Sequence, residues 1–217
     1  VLAPQVLDVL GRSHHFFVEN LRTARRFVSE LKFGRPIESL SFEELSKDTP
    51  PSHVRKVLKL WHDAGHDVGV LSEAGCPGVA DPGAAAVRLA HELGIRVVPL
   101  VGPSSLLLAL MASGLNGQSF AFHGYLPIDR ASRGQRIRQL EKTAFLHQQT
   151  QLFIETPYRN EAMFDELLAH CQPTTLLSIA ANLTADDEFV KTQPIAAWRG
   201  QKPDLHKKPT VFLLGAP

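Results

Sequence analysis

The sequence predicts an α/β protein in two halves, mainly parallel in the first and mixed in the second. Three observations carry this expectation. Short apolar strand patterns alternate with helical patterns through residues 1–103, the signature of a parallel sheet. Beyond residue 104 the strand patterns follow one another more closely, without long helices between several of them, which suggests a mixed sheet. Between the two lies Pro99–Ser105, a Pro/Gly-containing stretch suited to a short, stiff hinge. The expected domains are therefore 1–103 and 104–217, each with its own sheet.

In the first half, residues 6–10 read as helix, Phe16-Phe17-Val18 as strand, and residues 21–31 as an amphipathic helix with Phe27, Val28 and Leu31 inward. Ser41–Leu45 is ambiguous in pattern. Val54, Val57, Leu58 and Trp61 sit at helical spacing, and Gly65 is placed to end that helix. Val68–Leu71 is an apolar strand, residues 84–93 a helix, and Ile95–Leu100 a second buried strand. In the second half a helix is expected over 106–112, with Ser104 or Ser105 capping it. Strands are expected at 119–123, 151–155, 176–181, 188–192 and 210–214. Helices are expected at 131–147, 159–170 and, briefly, 196–198.

The most informative stretch is Ser72–Gly83, which holds three glycines, two prolines and two carboxylates in twelve residues. It leaves the carboxyl end of a strand, where open α/β folds bind ligands. It is also longer than the roughly 2–6 residues of an ordinary connection. Glycine there allows φ > 0 and close approach of a ligand to the backbone. Val101-Gly102-Pro103-Ser104-Ser105 forms a second such turn, and the pair suggests two adjacent loops framing a cleft.

Composition narrows the function classes. The chain has 217 residues, 44% hydrophobic, with a net charge of +1. No long basic run exists, so an extended nucleic-acid stripe is disfavoured. Arg130, Arg133, Arg136 and Arg138 leave room for a local basic patch. Cys76 and Cys171 are too far apart to suggest a disulfide framework or a metal site, and no metal is expected. No apolar run reaches the ~18 residues of a membrane span, and no signal peptide is evident. The expectation is a soluble cytoplasmic protein. No Gly-x-Gly-x-x-Gly opens a helix, which disfavours hydride transfer.

Several ordered motifs give the chain a resemblance that covers nearly its whole length. They are Val18–Arg22, the 72–83 loop, Val98–Ser105, Phe122-His123-Gly124-Tyr125-Leu126-Pro127, Ile154–Arg159 and Asn182-Leu183-Thr184. Through them the sequence resembles the class III S-adenosylmethionine-dependent methyltransferases of the tetrapyrrole-methylase fold. It is most similar to the branch that methylates a cytidine ribose 2′-hydroxyl of small-subunit ribosomal RNA.

The resemblance implies a two-domain fold with the cofactor cleft between the domains, a homodimer, and S-adenosylmethionine as cofactor. It favours a short strand at 41–45. Family members open with a short strand and a Pro/Gly loop, so that piece is expected to be missing ahead of Val1. The implied cofactor residues are Ser72, Glu73, Ala74, Gly75, Cys76, Val79, Ala80, Ser104, Ser105, Thr156, Ala181, Asn182, Leu183, Pro209, Thr210 and Val211. Small residues cluster there, as close backbone contact requires.

On the substrate side the candidates are Glu19, Arg22, His123, Tyr125, Glu155 and Arg159. Glu155 and Arg159 are spaced to face one pocket from a helix start. No catalytic base is assigned, since alignment of nucleophile, methyl carbon and sulfur is the main requirement of methyl transfer. The chain departs from the rRNA branch at Glu73 (usually Asp), Cys76 (usually Thr) and Asn20-Leu21 (usually Asp-Thr). The expected acceptor is ribosomal RNA or the small ribosomal subunit. A tetrapyrrole or other small molecule is the alternative, and a non-catalytic module keeping the cofactor pocket is the third reading.

Overall fold

The computed structural model describes residues 2–217. The chain divides into two compact units, Val1–Ser104 and Ser105–Pro217. Their sheets share no strand.

The first unit runs α1 (Pro4–Arg12), β1 (His15–Val18), α2 (Leu21–Glu30), β2 (Ser41–Glu44), α3 (Pro51–Asp63), β3 (Val68–Leu71) and α4 (Gly83–Glu92). The strands form a parallel sheet in the order β2-β1-β3. Side chains alternate across β1, as a period of two requires. Phe17 packs with Val54, Leu58, Ala86 and Leu89 of α3 and α4. Phe16 and Val18 pack on the other face with Leu10, Ala24 and Val28 of α1 and α2. Asn20 caps α2, its Oδ1 accepting from the backbone N–H of Arg22 at 2.9 Å and of Thr23 at 3.1 Å. Such a cap is worth about 0.5–2 kcal/mol. Gly65 follows α3 at φ +79°, the left-handed turn that ends a helix.

Two expectations fail in this unit. Phe27 is 36% exposed rather than inward. It lies at the rim of a stripe whose centre is taken by Ala24, Val28 and Leu31. Ile95–Leu100 is not a strand. Ile95 and Val97 rest on the α3–α4 core, but Val98 is 57% exposed and the segment pairs with no strand. An alternating apolar run reports which side chains cover a core. It does not report whether the backbone finds a partner.

The second unit runs α5 (Ser105–Ser113), β4 (Phe120–Tyr125), α6 (Arg130–His147), β5 (Thr150–Ile154), α7 (Asn160–His170), β6 (Leu176–Ala181), β7 (Phe189–Pro194), α8 (Ile195–Trp198) and β8 (Thr210–Gly215). The sheet order is β4-β5-β8-β6-β7, with β4–β5 parallel and the other pairs antiparallel. The α/β expectation of a parallel first sheet and a mixed second one is met.

The main core lies between one face of this sheet and α6, α7 and α8, with Phe153, Phe212, Ile137, Phe164 and Trp198 almost fully buried. On the other face Ala109 and Leu110 of α5 pack with Leu152, Ala180, Val211 and Leu213. The first residue of α5 is Ser105. Burial of Ala109 and Leu110 on the sheet holds the helix.

Candidate functional site

In the first unit the site grows from strand register. Val18 pairs with Leu71, so the chain leaves β1 and β3 at the same level, and Glu19 emerges beside Ser72 and Glu73. The Glu73 backbone N–H donates to Glu19 Oε1 at 2.8 Å, and Thr23 Oγ1 donates to the Glu73 carboxylate. Glu73 thus faces α2 and does not cap the turn that follows it. Burial, followed by the nearby Asp81 carboxyl, raises the Glu19 pKa above the ordinary glutamate value. The Glu73 N–H opposes that shift. Arg22 is exposed.

The 72–83 loop is organised by Asp81, a residue the sequence reading passed over. Its Oδ1 accepts from the backbone N–H of both Gly78 and Gly83, each at 2.7 Å. A Cβ on Gly83 would stand 2.5 Å from that oxygen and 2.8 Å from Val70 Cγ1, so only glycine fits. The Asp-Pro-Gly sequence was the available signal, since aspartate commonly bonds backbone N–H groups two residues on. Ser72 Oγ donates to Ala74 O at 3.1 Å, and Cys76 Sγ reaches Pro103 O at 3.4 Å. Cys76 therefore links the two loops that the sequence singled out.

Gly75 stands at φ +73° with no heavy atom within 4 Å of where a Cβ would lie. Glu73, Ala74, Gly75, Val79 and Ala80 are all exposed. Ala80 takes φ +55°, a left-handed conformation that costs a non-glycine residue about 1–2 kcal/mol. An open, small-residue backbone ledge of this kind suits a ligand held through main-chain groups.

The second unit gathers most of the remaining candidates at one end of its sheet. Ile154 pairs with Val211, Val211 with Ala180, and Thr210 with Ala181. Glu155-Thr156 and Asn182-Leu183 therefore follow β5 and β6, and Pro209-Thr210 enters β8 between them, at neighbouring levels. The Asn182 N–H donates to Pro209 O at 3.0 Å, and the Lys207 N–H to Pro157 O at 3.2 Å, tying these segments together. Ala181 is fully buried, and Asn182 takes φ +48°.

The C-terminal end of α5 lies at the far end of this sheet. Thr192 Oγ1 donates to Ser113 O at 2.8 Å, and Leu115 packs on Gly215. Leu106, in the first turn of α5, packs in the cluster that holds Ile154 and Leu183. Ser105 thus begins the helix on the side of the gathered strand ends.

The substrate-side candidates are mostly engaged with their own unit. Glu155 is buried, accepts from the Thr156 N–H at 2.7 Å and pairs with Arg159 at 2.9 Å. The two face each other. His123 sits between two partners, with Nε2 at 2.8 Å from Gln151 Oε1 and Nδ1 at 3.1 Å from Arg136 Nη2. Arginine only donates, so Nδ1 is an acceptor and the ring proton is on Nε2. The Gln151 amide is oriented by its own N–H donation to Gln149 O at 2.8 Å. Burial, with the Arg136 charge adding, lowers the His123 pKa, while Gln151 opposes the shift. A ring committed on both nitrogens is not a free base. Tyr125 is 59% exposed and open to solvent.

The arginines of α6 do not form one patch. Arg130 Nε donates to Glu166 at 2.7 Å, and Arg133 is buried, donating to Ile128 O at 3.0 Å. Arg136 holds His123, and Arg138 contacts His170 at 2.9 Å. At 100° per residue these four positions spread over more than half the helix circumference. Among the described residues no cluster of three or more His, Cys, Asp or Glu could hold a metal. Among the described residues no helix is long and apolar enough to cross a membrane.

The family model described as Tetrapyrrole (Corrin/Porphyrin) Methylases matches residues 2–197. The chain belongs to the tetrapyrrole methylase family, a family of methyltransferases. Two relatives share the name Ribosomal RNA small subunit methyltransferase I. That of Vibrio cholerae is 30% identical over 98% of this chain and 71% of its own length. That of Pseudomonas aeruginosa is 42% identical over 73% of this chain and 52% of its own length, so the chain spans only about half of that relative. Among solved structures, the methyltransferase CobJ is similar in fold, with a TM-score of 0.64 at 17% identity over 100% of this chain and 88% of that one. A uroporphyrin-III-C-methyltransferase from Thermus thermophilus has a TM-score of 0.54 at 20% identity, over 99% of this chain and 86% of that one. In this tetrapyrrole methylase five of the motifs read from sequence fall at the carboxyl ends of β1, β3, β4, β5 and β6, and the sixth, Val98–Ser105, leads into α5.

Proposed function

We propose that this chain transfers the methyl group of S-adenosylmethionine to a ribose 2′-hydroxyl of small-subunit ribosomal RNA. The observation that carries the reading is the 30% identity over 98% of the chain to a relative named for that RNA. The proposed cofactor contacts are the exposed ledge Ser72–Cys76 with Val79 and Ala80, the turn at Ser104 and Ser105, and the strand-end set Thr156, Ala181–Leu183 and Pro209–Val211.

When bound, S-adenosylmethionine supplies a methyl group already activated by its sulfonium. The chain's task is to hold and orient, which in favourable geometry supplies several kcal/mol of a barrier, up to about 7–11. Main-chain groups on the Asp81-organised loop suit that task. Glu19 and Arg22 beside it, and the exposed Tyr125, are the proposed substrate contacts. His123, Glu155 and Arg159 are assigned to shaping their surroundings. The reading includes a homodimer in the cytoplasm.

One observation favours the second reading, a small-molecule acceptor such as a tetrapyrrole. The α6 arginines are individually paired, and the net charge is only +1. The deciding experiment titrates the full-length protein with S-adenosylhomocysteine. It then offers labelled S-adenosylmethionine with small-subunit rRNA from a strain lacking the enzyme, and with a porphyrinogen. Label in RNA that maps to a ribose supports the first reading. Label only in the small molecule replaces it with the second, and cofactor binding without transfer to either leaves a non-catalytic module. Light scattering tests the dimer.

A further inference from the structure

We infer that Asn160 is a positioning residue for the strand-end half of the proposed cofactor site, holding Pro209–Val211 in place through its side-chain amide. The inference rests on the cofactor reading above and adds a residue that neither the motifs nor the family resemblance selected.

Asn160 opens α7 and has 0% exposure. Its Nδ2 reaches three acceptors in one short segment: Lys208 O at 2.7 Å, Thr210 Oγ1 at 3.1 Å and Leu205 O at 3.3 Å. Two of these are backbone carbonyls. The Thr210 hydroxyl donates its own proton to Lys208 O at 2.9 Å and so presents a lone pair to Asn160. Every neighbour of this nitrogen accepts, which fixes the amide orientation. Its Oδ1 has no protein donor, so the donor end alone makes the connection.

Leu205–Pro209 lies outside regular structure, and Pro209 lacks an N–H. Besides Asn160, the segment is held by the buried Leu205 side chain and by the Lys207 N–H to Pro157 O bond. Lys207 takes φ +58°, a conformation that the surroundings must impose on a non-glycine residue. The consequences run directly into the candidate site. Thr210 pairs with Ala181, and Pro209 O accepts the Asn182 N–H at 3.0 Å. If Leu205–Pro209 loosens, the Asn182 N–H to Pro209 O bond and the Thr210–Ala181 end of the β6–β8 ladder loosen with it.

The test compares wild type, Asn160→Asp and Asn160→Ser in the full-length protein. Asn160→Asp keeps the shape but sets a carboxylate against two carbonyls. Asn160→Ser is a milder break, used if the first variant does not fold. A buried Met163→Ala variant, which removes apolar packing from the α7 core but no hydrogen bond to Leu205–Thr210, serves as the stability-matched control. Binding of S-adenosylhomocysteine is measured by calorimetry, hydrogen exchange is followed over 205–211, and KM for S-adenosylmethionine is separated from kcat.

The expected result is affinity weakened about tenfold or more in the Asn160 variants, since more than one bond at about 1 kcal/mol is lost. Faster exchange confined to 205–211 should accompany it, with KM raised and kcat within about twofold. Met163→Ala should retain affinity at an equal loss of melting temperature. Unchanged affinity in a folded Asn160 variant overturns the inference. So does an equal loss in the control, which would make the effect one of global stability. No binding by wild type overturns the cofactor reading itself and is read separately.

Discussion

Glu19 and Glu73, 54 residues apart in sequence, are joined by a hydrogen bond in which the Glu73 backbone N–H donates to Glu19 Oε1 at 2.8 Å. This bond ties the end of β1 to the first residues of the glycine-rich loop. It exists because β1 and β3 are parallel neighbours in register, so the residues after Val18 and Leu71 emerge side by side.

Glu19 gives the first prediction. Its pKa is raised, chiefly by burial and then by Asp81. A carboxyl whose folded pKa exceeds its unfolded value stabilises the fold most below the unfolded value, about 4.3. That contribution is lost as pH rises through the folded pKa. Glu19→Gln can still accept from Glu73 N–H and carries no charge beside Asp81. The variant should match or exceed wild type in melting temperature at pH 7, with the difference shrinking towards pH 4. A Glu19→Gln protein less stable than wild type across this range would refute the account.

The second prediction concerns Gly75. An arginine there meets no protein atom near its Cβ but sits at φ +73°. The fold should survive with a loss of about 1–2 kcal/mol from backbone strain. Binding of S-adenosylhomocysteine should fall below calorimetric detection as the side chain fills the ledge. Gly75→Ala carries the same strain without the bulk and should keep most of the affinity. Equal binding by Gly75→Arg and Gly75→Ala would remove Gly75 from the site.

Gly83→Ala should act through Asp81. The added Cβ would stand 2.5 Å from Asp81 Oδ1 and 3.2 Å from Gly78 N. Overpacking of this kind costs about 1–3 kcal/mol. The lower melting temperature should come with faster amide exchange at Gly78 and Gly83, whose N–H groups Asp81 accepts. Unaltered exchange at both glycines would show that Asp81 does not organise the loop.

His123 supplies a spectroscopic prediction. Nitrogen-15 shifts at pH 7 should show the neutral Nε2–H tautomer, with Arg136 donating to Nδ1. Burial followed by the Arg136 charge depresses its pKa, so the related stability is full above the ordinary histidine value of about 6.5 and falls as pH drops through the folded pKa. Arg136→Met should raise that pKa. A ring titrating near 6.5 in wild type, unmoved by Arg136→Met, would contradict the structure.

By itself the sequence determined the α/β class, nearly every helix and strand, the long glycine-rich loop at 72–83 and the family. Those features are written locally, in period, in turn residues and in short motifs. Tertiary structure decided the rest. Asn160 meets acceptors 45 to 50 residues away, and His123 meets Gln151 across 28 residues. No local pattern encodes such partners. Glu155 and Arg159 stand four residues apart at a helix start, and burial of Glu155 pairs them, because a buried carboxylate needs its nearest cation and donors. Ile95–Leu100 had the composition of a strand but no strand beside it. Side-chain periodicity records burial, whereas a strand also requires a neighbouring backbone to complete its hydrogen bonds.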